Sequence, residues 1–87
     1  MYSILYSPGA RKDLKKLPED IAKKIVLAIK ELQEDPRGYL KKLKSPPGCP
    51  LYSLRIGEYR VIMGLDADKL IIFVIEVGHR SKIYRKY

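Results

Sequence analysis

The stretch Leu51–Leu65, LYSLRIGEYRVIMGL, decides the fold. Apolar residues recur at every second position before Gly57-Glu58, at Tyr52, Leu54 and Ile56, and again after it, at Tyr59, Val61, Met63 and Leu65. Such alternation marks a strand with one buried face, and two such runs joined by two residues that begin with glycine form a β-hairpin. Gly57 at the first central position suits a type II′ turn, which needs positive φ there. The register then follows by counting: Ile56 faces Tyr59, Arg55 faces Arg60 and Leu54 faces Val61. The alternating apolar set goes to the core. Arg55 and Arg60 meet on the other face, and like charges directly opposed weaken a sheet. Two arginines snorkelling into water account for that pair. A site that receives a polyanion accounts for it too, and Gly78-His79-Arg80, a third arginine after the next apolar strand, favours this second explanation.

Before the hairpin, Tyr2–Tyr6 reads as a first strand and Ser7-Pro8 as a helix start, with serine as cap and proline at the first helical position. A short helix over about Gly9–Lys16 turns Leu14 and Leu17 inward. Pro18 opens a second helix, with Glu19 and Asp20 where the helix dipole favours anions. Ile21, Ile25, Ile29 and Leu32 recur at helical spacing along it, and Asp35-Pro36 is expected to end it. This helical hairpin is too small to bury its own stripe and needs the sheet. Its outer face carries Arg11, Lys12, Lys15, Lys16, Lys23, Lys24 and Lys30, a solvated face that also suits contact with phosphates. Arg37–Pro50 is expected to be an irregular loop, kept so by its prolines and glycines and pinned by Leu43. After the hairpin, Asp66–Lys69 makes a turn. Leu70–Val77, LIIFVIEV, reads as a strand covered on both faces, with Glu76 as an ion-pair partner for an arginine and Gly78 as the break.

The 87 residues make one domain, 1–87, and a hydrophobic fraction of 46% supports a packed core. One cysteine, Cys49, excludes an internal disulfide, and with a single histidine it leaves no Cys/His metal cluster, so neither metal nor cofactor is expected. No apolar run approaches membrane-spanning length and MYSILYSPGARK lacks a signal-peptide pattern, so the cytoplasm is the expected location. Asn, Thr and Trp are absent and 32% of residues are charged, a bias compatible with a thermophilic source. The formal net charge of +8 points to nucleic acid, an anionic membrane surface or an acidic protein partner, and by itself does not choose among them.

If the substrate is RNA, strand cleavage by the 2′-hydroxyl needs a base, cations at the crowded phosphorus and an acid for the departing 5′ oxygen. Arginine stays charged at ordinary pH and grips phosphate bidentately, so Arg55, Arg60 and Arg80 suit electrostatic stabilisation. Proton transfer then falls to His79 and Tyr84, with lysines in reserve; a plain polar histidine at a strand end and a tyrosine that anchors the tail are the competing readings. Lys41, Lys42 and Lys44 in the loop, with Lys82 and Arg85 in the tail, are candidate RNA or ribosome contacts.

The order of these pieces, with Tyr52-x-x-Arg55, Gly57-Glu58-Tyr59-Arg60-Val61-Ile62, Val77-Gly78-His79-Arg80 and Ile83-Tyr84-Arg85, resembles the RelE/ParE toxin superfamily over nearly the whole chain. The resemblance implies an α+β, microbial-RNase-like fold: a small antiparallel β-sheet with the N-terminal helical hairpin packed on one face. It implies a RelE-type mRNA interferase that cleaves mRNA in the ribosomal A site by the metal-free 2′-hydroxyl route, and a RelB-like antitoxin as protein partner. Arg60, Arg80 and Tyr84 match the family's central-strand arginine, the arginine after the last strand and the C-terminal tyrosine. Arg55 stands where many members have a catalytic lysine, and Ser53 where some carry a second one, so that cation is missing here. His79 stands where the RelE type often has lysine and some relatives a catalytic histidine. ParE members share the fold, inhibit DNA gyrase and lack the nuclease set. A gyrase inhibitor or an inactive basic binding module is the alternative.

Overall fold

A computed structural model describes residues 1–38, 40–44, 48 and 50–83. The chain begins with strand β1 (Ser3–Tyr6) and helices α1 (Pro8–Lys15) and α2 (Glu19–Glu31). A 3-10 turn at Pro36–Gly38 and strand β2 (Lys41–Lys42) follow, then β3 (Leu51–Ile56), β4 (Tyr59–Asp66), β5 (Ile71–His79) and a short helix α3 (Arg80–Ile83). The strands form one sheet in the order β1-β5-β4-β3-β2. The resemblance implies an antiparallel sheet; the observed one is mixed, because β1 runs parallel to β5. The chain leaves β1 through the helices, re-enters at the far edge and zigzags back, so that β5 arrives beside β1 pointing the same way. Among the described residues no helix is long and apolar enough to cross a membrane.

The hairpin is as counted: Leu54 pairs with Val61, Arg55 with Arg60 and Ile56 with Tyr59. Of the two turn residues only Gly57 has positive φ, at 58°, as a type II′ turn requires. Val61 and Met63 are wholly buried and Leu54 nearly so, against Ile25, Ile29 and Leu32 of the α2 stripe. Ile72 and Val74 complete this layer from β5. Ser7 caps α1 as expected: its Oγ accepts from the Ala10 N–H at 3.0 Å and donates to the Ile75 carbonyl at 2.8 Å, which ties the helix to β5. The β1 ladder reaches only to Val74 of β5. Beyond it the Val77 N–H donates to Asp13 Oδ2 of α1 at 3.1 Å, so a helix carboxylate takes over where the edge strand stops.

Four expectations need correction. Helix α2 stops at Glu31, short of Asp35-Pro36, because Gln33 leaves the helix to bond Tyr2 through both its backbone and its side chain. The loop contains a strand: Lys41 and Lys42 pair with Ser53 and Tyr52. Strand β5 runs through Gly78 to His79, since Gly78 pairs with Arg60 and its bare Cα lets Ile83 pack close, where an added Cβ would lie 3.3 Å from Ile83 Cδ1. The same strand is not covered on both faces, for Phe73 and its neighbour Leu5 on β1 are 40% and 51% exposed. Cys49 lies outside the described residues.

Ile25→Ala is expected to cost about 2–5 kcal/mol, the range for removing a buried branched side chain, and Gly57→Ala about 1–2 kcal/mol for forcing a Cβ into positive φ. Urea denaturation midpoints measure both.

Candidate functional site

The hairpin register sets the site. Ser53 and Arg55 of β3 share a sheet face with Arg60 and Ile62 of β4, the face away from the α2 stripe. This face is not a plain solvated surface: Ser53, Arg60 and Ile62 are buried, Arg60 at 9% exposure. A guanidinium taken out of water needs acceptors, and Arg60 Nη1 donates to Ser53 Oγ at 3.4 Å. Ser53 therefore has a local use, as an acceptor for the buried arginine. Arg55, opposite Arg60, is exposed, with Nε 3.5 Å from the Gly57 carbonyl oxygen. Glu76 pairs with Ile62, one step along the same face from Arg60.

Arg80 is brought to the same end of the hairpin by the turn itself. Its N–H donates to the Glu58 carbonyl at 2.8 Å, and its Nε lies 3.4 Å from Glu58 Oε2. Both side chains are about half exposed, so the ion pair contributes about 1 kcal/mol or less to stability, and its effect is to orient Arg80. Sequence reading overlooked Glu58, although the one acidic residue between Arg55 and Arg60 was a visible signal.

His79 is turned elsewhere. It pairs with Tyr59, on the same face as Val61 and opposite to that of Arg60, and the two rings meet edge-on with centroids 5.7 Å apart. Its Nδ1 accepts from the Ser81 N–H at 3.2 Å and lies 2.9 Å from Ser81 Oγ. A backbone N–H can only donate, so this Nδ1 offers its lone pair to α3 as a cap and leaves Nε2, 3.9 Å from Glu58 Oε2, to carry the proton. The ring thus caps α3 on one side and approaches, through Nε2, the same Glu58 carboxylate that meets Arg80. Lys82 lies with His79, Tyr59, Asp13 and Lys16 around a groove beside the outer part of β5. Lys41, Lys42 and Lys44 are exposed along the β2 edge. Tyr84 and Arg85 lie outside the described residues.

The structure thus gathers Arg55, Arg60 and Arg80 around one end of the hairpin, and places the His79 ring on the Tyr59 face with Nε2 near the Glu58 carboxylate that also meets Arg80. His79→Ala is expected to speed amide exchange at Ser81 and Lys82 without loosening β3–β5, and His79→Asn, which keeps a capping acceptor, to restore protection. Hydrogen exchange followed by NMR checks this.

Residues 4–84 match the family model described as the ParE toxin of type II toxin–antitoxin system, parDE. The chain is 31% identical over 85 residues to the mRNA interferase toxin RelE of Escherichia coli, covering 95% of this chain and 90% of that one. It is 31% identical over 86 residues to the toxin RelG of Mycobacterium tuberculosis, covering 98% of each. The toxin–antitoxin complex RelBE2 of M. tuberculosis contains a chain that superposes with a TM-score of 0.79 at 30% identity, covering 91% of this chain and 98% of that one. Fold and length agree with these matches, and the chain belongs to the ParE toxin family of type II toxin–antitoxin systems, as a RelE-type member.

Proposed function

We propose that this toxin is a ribosome-dependent endoribonuclease that cleaves mRNA in the A site. The observation that carries the reading is the cross-strand pair Arg55–Arg60 with Arg80 held beside it at the turn. A sheet that sets two cations opposite each other loses stability, and a phosphate between them and Arg80 offsets the repulsion. The relatives named mRNA interferase support the same chemistry.

In this reading the 2′-oxygen forms a bond to the adjacent phosphorus, its proton passes to a base, and the bond to the 5′ oxygen breaks as that oxygen takes up a proton. The products are a 2′,3′-cyclic phosphate and a 5′-hydroxyl. Arg55 and Arg80, exposed and half exposed, contact the phosphate. Arg60, buried opposite Arg55 in the ladder, adds positive potential at the pentacoordinate transition state from a medium that screens it less than water does. With His79 engaged as the cap of α3, proton transfer is assigned to Tyr84, with lysines in reserve. The cytoplasm is where such a substrate is found. An antitoxin of the RelB kind is the proposed protein partner, since the neighbouring folds include toxins solved with RelB, and a surface of net charge +8 suits an acidic chain.

A second reading has two observations in its favour. Arg60 is buried against Ser53, as a structural cation would be, and the family model carries the ParE description. That reading is a non-nuclease toxin directed at DNA gyrase.

Primer extension on mRNA in a reconstituted translation system separates the two. Wild type is expected to cut within ribosome-occupied codons. Arg55→Ala and Arg80→Ala, whose side chains are too exposed to hold the fold, are expected to lose about 10²-fold in cleavage while keeping the wild-type circular dichroism spectrum. Full cutting by both variants overturns the role of the arginines. No cutting by folded wild type, together with inhibited supercoiling, establishes the gyrase reading instead.

A further inference from the structure

The site has a row of polar positions that continues onto the β2 edge. Lys41 pairs with Ser53 in the antiparallel β2–β3 ladder. Residues directly opposite in such a ladder point to the same face, with Cβ atoms about 5 Å apart. Lys41 therefore shares the face of Ser53, Arg55 and Arg60, while Lys42, opposite Tyr52, belongs to the other face. The orientation is anchored at both ends: Leu40 packs against the core, and the Leu43 N–H donates to the Leu51 carbonyl at 2.9 Å. Ser53 itself is buried and its hydroxyl is engaged by Arg60, so it brings no charge to the surface. Lys41 is exposed beside it.

We propose that Lys41 is a phosphate-binding residue of the site, supplying from β2 the cation that position 53 lacks, and that it takes the phosphodiester of single-stranded RNA one nucleotide from the phosphate held by Arg55. The inference rests on the ribonuclease reading for the identity of its ligand and deepens it: two neighbouring strands, β2 and β3, hold successive phosphates of one RNA strand. Lysine suits this position, because a flexible point charge holds a flanking phosphate without the fixed fork needed at the reacting one. The competing role for Lys41 is protection of an edge strand against pairing with another chain, which needs only a charge at the edge and no ligand.

The test is fluorescence anisotropy of a labelled single-stranded RNA with the full chain, between about 50 and 200 mM salt. Lys41→Ala is expected to weaken binding about threefold at the low end and to reduce the slope of log K against log salt by about 0.7, the loss of one phosphate contact on a single strand. Lys41→Arg is expected to restore both. Lys69→Ala removes the same charge from the exposed β4–β5 turn and is expected to leave the slope unchanged. Lys41→Ala indistinguishable from Lys69→Ala overturns the proposal, as does wild type that binds no RNA. A Lys41-dependent slope in a protein that cuts no ribosome-bound mRNA upholds the phosphate contact and overturns only the nuclease reading.

Discussion

The placement of every arginine in the site depends on the register of one β-hairpin. Gly57 takes the positive φ that a two-residue turn demands, and packing of Leu54, Val61 and Met63 in the core beside the α2 stripe locks the strands against a slip. A shift of one residue would send those side chains to the far face and bring the arginines into the core. The large cost of that exchange is what keeps Arg55 opposite Arg60 despite their repulsion. Ser53 accepts from the buried Arg60, and Glu58, in the turn, anchors Arg80 by backbone and side chain together. The turn is thus both the device that sets the register and the point where the third arginine attaches.

The hairpin was readable because period-two alternation and a Gly-X turn are local signals, and α2 because its isoleucine stripe is local too. Features set by distant partners were not readable. β2 is two lysines long with no apolar alternation, and it is a strand only because β3 offers it an edge. Gly78 reads as a strand end, yet pairing with Arg60 carries β5 through it. The apolar run of β5 suggested cover on both faces, whereas Phe73 is largely open. His79 stands out by residue type, but its place opposite Tyr59 and its bond to Ser81 are set by the fold. Residue type names the candidate groups, while the direction in which each side chain points is set by register and by partners distant in sequence.

The charges divide into two kinds. Arg55, Arg60 and Arg80 are oriented by specific bonds, at the end of a rigid sheet. The lysines of α1 and α2 are exposed and diffuse, as with Lys23, whose one described partner is Glu19 in the preceding turn. The first kind suits recognition of a single phosphate, the second attraction to an anionic surface of any sequence. In the proposed function both kinds have a use, since an acidic antitoxin and an RNA would be drawn to the same positive field.

The most direct test of the account is mass spectrometry of the RNA ends made by the wild-type toxin on ribosome-bound mRNA. An arginine-stabilised attack by the 2′-hydroxyl predicts a 2′,3′-cyclic phosphate on the upstream fragment and a 5′-hydroxyl on the downstream one. A 3′-hydroxyl with a 5′-phosphate would require water as the nucleophile and would contradict it.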